Sequence, residues 1–441
     1  MIEAVQALGA ACAGTVVASL LACVPGLHVY SAAGLLVLLG FQAGVALPGE
    51  LLAAFMAGLV VGYAVVNTIP SVFWGAPDES TAFVVLPGQR FLSEGRGYEA
   101  AVLTGVGALG GLGVLLAIAP LAPRVLPAVR EVVAPHLHWI LAAVTAFMLL
   151  SEWPKGHDRA ETAGRRLLEA WRSPGMGLLT FALAGVLGMV LFYGHVVPPE
   201  AAFQSLMPAF TGLFAVPWVL SGLLTGTRVP AQRVTEAVAL SRGMAARGIA
   251  AGAMGGLFAA FFPAVTGGVG SLLSGHATAQ RDDRVFLVSQ GASKLVYYVG
   301  ALLLFYVPGL HLARGGMASM IGARWQPHGP ESYWTAVGLV VTSGALAFGL
   351  LLVLSRAAAA IAGRVDARTI GVATLFILVT LVVVLTGARG LLVLLPATGI
   401  GLIPVAWGAR RTNCLGVILV PLTLQMAGLG PAAARALGLI G

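Results

Sequence analysis

Val66-Asn67-Thr68-Ile69-Pro70-Ser71-Val72-Phe73-Trp74-Gly75-Ala76-Pro77-Asp78-Glu79-Ser80-Thr81 follows directly on an apolar run over 50–69 and precedes another over 82–87. Two prolines and a glycine argue against a continuous helix here. Asn, Thr, Ser and an acid pair supply donors and oxygen ligands. In water this would be an ordinary loop. At membrane depth, freed backbone groups must face protein, ligand or a water-filled cavity. The environment of the flanking runs therefore decides the fold.

The chain has 441 residues, of which 58% are hydrophobic and only 10% charged. Soluble domains carry about 25% charge. A mean hydropathy of +0.93 leaves too little polar surface to cover a water-soluble core. Gly (59) and Pro (24) are abundant, as in membrane helices that pack closely and line cavities. The net charge of +8 comes from arginines in short connectors, which is topology signalling rather than nucleic-acid binding. Cys12, Cys23 and Cys414 all lie inside apolar runs, so neither a disulfide framework nor a metal spacing is present. Met1-Ile2-Glu3 lacks a basic start, which argues against a cleaved signal peptide.

Apolar runs over 4–24, 50–69, 100–121, 132–150, 174–193, 205–224, 248–263, 285–307, 333–354, 369–386, 388–408 and 413–430 approach the roughly 20 residues of a membrane span. Shorter runs over 27–40 and 264–279 each follow a proline and suit re-entrant or half-helical elements. No period-2 alternation supports a membrane barrel. The expected fold is an all-α polytopic membrane protein with about 10–14 membrane elements, multi-pass in the cell membrane. Connectors at 151–173 (Lys155, Arg159, Arg165, Arg166, Arg172), 226–247 (Arg228, Arg233, Arg242, Arg247), 355–368 (Arg356, Arg364, Arg368) and Arg410-Arg411 are assigned to the cytoplasmic side.

A shift of 238 positions aligns Gly14 with Gly252, Ala22 with Ala260, Pro25 with Pro263, Gly62 with Gly300 and Pro70 with Pro308. Pro25 to Pro70 and Pro263 to Pro308 are both 45 positions. The charge pattern places the two units in opposite orientations, as in inverted-repeat carriers. The expected organisation is a first membrane repeat over 1–150, a cytoplasmic connector with linking helices over 151–247, and a second membrane repeat with C-terminal helices over 248–441.

Four places carry candidate chemistry. At Pro25-Gly26-Leu27-His28-Val29-Tyr30 a helix end leaves backbone groups free, and His28 and Tyr30 are placed to meet substrate. The plainer reading is an interfacial cap with an aromatic anchor. Asn67, Thr68 and Ser71 supply substrate contacts. Asp78 is placed to cap a half-helix starting near Glu79, and Asp78, Glu79, Ser80 and Thr81 are the ion-coupling candidates, to hold Na⁺ or exchange a proton. The plainer reading is a solvated loop. Thr266, Gly267, Gly268 and Ser271, with Ser274 and His276 beyond, expose amides that cradle anions; close helix packing explains the small residues nearly as well. Lys294, beside Ser293 inside the 285–307 run, is the sharpest single residue, because a lysine well inside a span faces a cavity or a partner. Its alternative is a structural pair with Asp282 or Asp283.

Gly105, Gly107 and Gly110 match GxGxxG, but with no strand before them they read as helix packing. There is no Walker A, HExxH or GxSxG motif, so nothing supports ATP-driven transport or proteolysis.

Ala22-Cys23-Val24-Pro25-Gly26-Leu27, the segment VNTIPSVFWGAPDESTAFVVLPGQRFLSEGRGYEAA over 66–101, and the Pro263 break with its following helix are similar to the large membrane subunit of tripartite tricarboxylate transporters, the TctA family, in its divergent archaeal-type branch. The resemblance implies an inverted-repeat carrier of small organic anions, coupled to H⁺ or Na⁺. It also implies a small membrane subunit and a periplasmic or extracellular binding protein as partners. Two departures accompany it: Pro87-Gly88 stands where the family shows Asp-Gly, and Ser289-Gln290-Gly291-Ala292-Ser293 stands near its usual Asn pair.

The leading expectation is thus a secondary transporter of small carboxylates, not an enzyme, with no cofactor beyond Na⁺ as a candidate coupling ion. Membrane lipids surround it, a homodimer is an open assembly, and nucleic acid has no role. The alternatives are a carrier of a polyprenyl-phosphate lipid held by Lys294 or Arg281, and a membrane enzyme pairing Asp78 with His28 or His276 on a lipid-linked substrate. A structural scaffold would not need two matched breaks.

Overall fold

The computed structural model describes residues 2–42, 48–154, 162–194, 196, 205–225, 229–235, 237–278 and 282–440. Arg281, Lys155, Arg159 and Arg228 lie outside the described residues.

Among the described residues the chain forms helices and connections, without strands. In order these are α1 (Ile2–Leu21), α2 (Val29–Gln42), α3 (Gly49–Val66), α4 (Thr68–Phe73), α5 (Val85–Ser93), α6 (Gly97–Ile118) and α7 (Ala122–Val133). Then come α8 (Leu137–Leu150), α9 (Ala163–Tyr193), α10 (Met207–Phe210), α11 (Val216–Thr225), α12 (Arg242–Phe261), α13 (Gly267–Ala277) and α14 (Asp283–Tyr306). The last are α15 (Gly315–Gly322), α16 (Gly329–Ala362), α17 (Ala367–Thr386), α18 (Gly390–Trp407), α19 (Gly416–Met426) and α20 (Gly430–Ala436). Eleven described helical stretches are long and apolar enough to cross a membrane, within the expected range. A further pair, Arg411–Met426 with Gly430–Ala436, is bent by 118° at its break. The protein is an all-helical, multi-pass membrane protein.

Contacts group the chain into two units, Met1–Glu131 with Gly222–Thr374, and Val132–Ser221 with Leu375–Gly441. In the first unit α14 is the central post. Its most apolar 18-residue window is 94% buried, against 28% for α1. It packs on α12, α6, α3 and α13. The approach of α6 to α14 is backbone on backbone. A methyl at Gly107 would strike the Val288 carbonyl, and one at Gly291 would strike the Thr104 carbonyl. In lipid there is little hydrophobic drive between helices, so such small-residue contact is what holds them. The GxGxxG run is accordingly helix packing, with Gly105 against Phe348 and Leu351 and Gly110 against Ile249.

Two local expectations are corrected. Pro70 does not break its helix. It lies in the first turn of α4, where its missing N–H is not needed, and the helix continues to Phe73. The chain turns instead at Gly75, with φ of +61°, a value glycine tolerates. The half-helix expected near Glu79 begins at Val85. Asp78 Oδ1 collects the N–H groups of Ser80 (2.9 Å) and Thr81 (2.8 Å) together with both hydroxyls, which closes a compact turn rather than a helix. By contrast Pro25 lies in the turn after α1, and Pro263 in the turn after α12.

The second unit has its own buried polar knot. Glu152 accepts from Ser173 Oγ (2.8 Å), the Arg410 N–H (2.9 Å) and Asn413 Nδ2 (2.8 Å). Arg411 stacks its guanidinium 3.6 Å over the Trp218 ring. The approach of α9 to α19 is again at a glycine, Gly188 on the Val417 carbonyl.

Candidate functional site

The site lies within the first unit, where the end of α3, the 74–84 turn, the residue before α2 and the middle of α14 converge. It is assembled from two helical pairs spaced i, i+4, which places each pair on one face. The first pair is Tyr63 and Asn67; the second is Lys294 and Tyr298.

Lys294 is 2% exposed. Its ammonium donates to Asn67 Oδ1, a neutral amide oxygen, with a short contact. The Asn67 amide in turn donates to Asp78 Oδ2 at 2.9 Å. Asn67 therefore bridges the cation and the carboxylate. The structural pair considered for Lys294 is not formed. Asp282 caps α14, accepting from the Arg284 N–H at 2.8 Å, and Asp283 meets Arg90 at 3.1 Å.

Asp78 accepts more hydrogen bonds than any other group described in the site. Its Oδ2 accepts from Tyr63 Oη (2.6 Å) and Asn67, and its Oδ1 from the amides and hydroxyls of Ser80 and Thr81. Six donors on one carboxylate hold it ionised without a salt bridge.

Glu79 differs. Its Oε1 lies 3.1 Å from His28 Nε2 and 3.5 Å from Tyr298 Oη. Among the described residues its buried Oε2 has no hydrogen-bond partner. His28 sits among Tyr30, Tyr63 and Tyr298, with ring centroids at 4.7, 5.2 and 6.0 Å. The backbone N–H of Tyr30 donates to His28 Nδ1 at 3.2 Å. That fixes Nδ1 as the acceptor and Nε2 as the bearer of the proton in the neutral ring.

His28, Asp78 and Glu79 bring one ligand-type atom each within 4.8 Å of one another. Both Asp78 oxygens already accept protein donors, and with the Tyr30 N–H on Nδ1 the neutral His28 ring presents an Nε2–H to the site.

The remaining expected residues take varied places. Gly26, with φ of +73°, and Pro25 shape the turn that delivers His28. Thr68 Oγ1 and Ser71 Oγ, on α4, are fully buried and without partners. Thr266 caps α13 through the Val269 N–H at 3.4 Å. Ser293 Oγ donates to the Gly267 carbonyl (2.8 Å), and Ser271 Oγ accepts from Gln290 Nε2 (2.7 Å); both tie α13 to α14. Gly267 and Gly268 bring the start of α13 against the site. A methyl there would lie 3.2 Å from the Lys294 Cα and 3.1 Å from the Glu79 carbonyl respectively. His276 contacts its own helix at the Leu272 carbonyl (2.9 Å). Sequence reasoning missed Tyr63, Tyr298 and Gln290. The signal was available, since Tyr63 and Tyr298 stand one helical turn from Asn67 and Lys294 on the same faces.

An uncharacterized protein of Methanocaldococcus jannaschii, MJ1079, is 26% identical over 380 residues, covering 84% of this chain and 87% of the relative. No solved structure matches. The model of the tripartite tricarboxylate transporter TctA family matches residues 8–416. With nearly its whole length matched, the chain belongs to the TctA family, as a multi-pass membrane component of a tricarboxylate-transporter-type system.

Proposed function

We propose that this chain is a cation-coupled carrier of small carboxylates, binding its cargo between α3, the 74–84 turn, the start of α13 and Lys294. One observation carries the reading. Among the described residues, the hydrogen-bond partner of the buried Lys294 ammonium is the neutral amide oxygen of Asn67. A lysine at mid-membrane costs about 2.5–3.5 kcal/mol on insertion scales, and the natural return on that cost is an anion that comes and goes. A substrate carboxylate displaces Asn67 from Lys294, and Asn67 keeps its bond to Asp78. The start of α13 adds amide dipoles of the sign an anion favours. Thr68 and Ser71 bring further hydroxyls to the adjoining helix.

In this proposal 1–150 and 248–441 act as two oppositely oriented repeats, rocking about the site in alternating access. Supporting it are the turns at Pro25 after α1 and at Pro263 after α12, and the matching pairs α1 with α3 and α12 with α14. A small membrane subunit and a binding protein complete the working system, with the binding protein delivering the cargo.

Uptake of labelled citrate and of smaller di- and monocarboxylates into proteoliposomes, under H⁺ and Na⁺ gradients in turn, tests the proposal. Gradient-dependent uptake that Lys294→Ala removes is the expected result. If no carboxylate moves under either gradient, with the partner subunits present, the reading is wrong. Competition by a polyprenyl phosphate would redirect it to a lipid carrier.

A further inference from the structure

We propose that Glu79 is the proton carrier of this site, so that the coupling ion is H⁺, loaded and released at the Glu79 carboxyl while Asp78 stays ionised. The proposal rests on the transport reading above and deepens it.

Two neighbouring carboxyls are built in opposite ways. Asp78 accepts six hydrogen bonds spread over both oxygens. Protonating it would set a new O–H against groups that are already donors. Glu79 is 6% exposed, and among the described residues its Oε2 accepts no hydrogen bond. A charged oxygen without a donor is costly in a buried site, and a neutral carboxyl there is far less so. Where environments separate two carboxyls in this way, one keeps its charge and the other exchanges a proton.

The histidine beside Glu79 does not take that role. With Nδ1 occupied by the Tyr30 N–H, a second ring proton would point at a donor. His28 therefore acts as a hydrogen-bond donor to Glu79 through Nε2. Its Nε2–H and the Tyr298 hydroxyl both serve Oε1, leaving Oε2 as the exchanging atom.

Other ionisable groups also surround Glu79. Tyr30 on α2, Tyr63 on α3, and Tyr297 and Tyr298 on α14 face it as phenols. Asp78, held by its six donors, is the neighbouring carboxylate, Lys294 the nearby amine on α14, and Arg314, just before α15, a further basic group in reach of Tyr30 and Tyr297. Protonating Glu79 as the anion enters keeps the occupied site from gaining net negative charge. In each cycle Glu79 Oε2 takes one proton from water on the loading side and returns it to water on the other. No electrons move.

Infrared difference spectroscopy of the full chain in lipid, titrated with acid in choline buffer, reads the carboxyl directly. The expected result is one protonated-carboxyl C=O band from a buried acid. It is lost in Glu79→Gln, shifted but present in Glu79→Asp, and retained in Asp78→Asn. Replacing choline by Na⁺ should leave it in place. A band that persists in Glu79→Gln, or disappears in Asp78→Asn with Glu79→Asp unshifted, overturns the assignment. Its displacement by Na⁺ would make the site a sodium site and also overturns it. The readout needs no substrate, so a wild type that moves no carboxylate would sink the transport reading by uptake while the band still decides which group exchanges the proton.

Discussion

Lys294 and Asn67, 227 positions apart, are joined by a buried ammonium-to-amide hydrogen bond, and Asn67 passes the contact on to Asp78. The cation and the carboxylate are thus kept in one network by a neutral intermediary. A direct ion pair would satisfy both charges and leave less reason for an anionic cargo to enter. Asn67→Asp should convert the network to such a pair. We expect it to suppress carboxylate uptake strongly while leaving the protein folded by size exclusion and thermal melting. Uptake as fast as the wild type would show that the neutral partner is not needed.

Tyr63 tests how Asp78 is held. Its hydroxyl donates to Asp78 Oδ2 at 2.6 Å. Tyr63→Phe removes one charge-assisted hydrogen bond, with an expected loss of about 1.5–3 kcal/mol. Tyr298→Phe removes only a 3.5 Å contact to Glu79 and a shared one to His28, so its loss should be smaller. Thermal unfolding of the two variants in the same detergent makes the comparison. Equal losses would contradict the hydrogen-bond ranking.

The α6–α14 contact predicts a sharp difference between two glycines of one helix. Gly107→Ala places a methyl against the Val288 carbonyl, whereas Gly113 has open space around it. Overpacking of this kind costs about 1–3 kcal/mol. Gly113→Ala should be neutral or stabilising by up to about 1 kcal/mol, the helix-propensity difference. Melting temperatures that move in parallel would mean the helices are not in backbone contact.

At the start of α6, Arg96 grips Glu99 with two hydrogen bonds of 2.8 and 2.9 Å, and meets Glu94 at 3.0 Å. Its guanidinium is held above its ordinary range mainly by the bond to Glu99, so it stays charged throughout the accessible pH range. Glu99 is 5% exposed. Arg96→Ala strands that carboxylate, and breaking a buried pair from one side costs about 3–5 kcal/mol, less here because Arg96 is partly solvated. Arg96→Lys, which keeps a cation beside Glu99, should lose less than Arg96→Ala in thermal melting. Equal losses would point to packing instead.

Much of the site could be read from residue types that are expensive in lipid. Lys294, Asp78, Glu79 and His28 drew notice because charge inside apolar runs needs a reason. The break itself is less legible. Pro70 suggests a helix end, but at the first turn of α4 it costs no hydrogen bond, and the chain turns at Gly75. Tyr63, Tyr298 and Gln290 escaped because aromatic and amide groups inside apolar helices are usually packing. Only their partners mark them.

The sequence by itself determined that this chain lives in a membrane as a bundle of helices. Length and hydropathy are local properties, and lipid permits few ways to satisfy a backbone. It also determined where charge would be costly. The tertiary structure decided which costs are shared. It placed the neutral Asn67 opposite Lys294, gave Asp78 six donors, and left the adjacent Glu79 with one oxygen bare. Two neighbouring acids in the chain look alike on paper. They differ because hydrogen bonding depends on which groups meet around each oxygen: the Asp78 donors all lie within 15 positions of it, whereas the contacts of Glu79 come from His28 and Tyr298, 51 and 219 positions away.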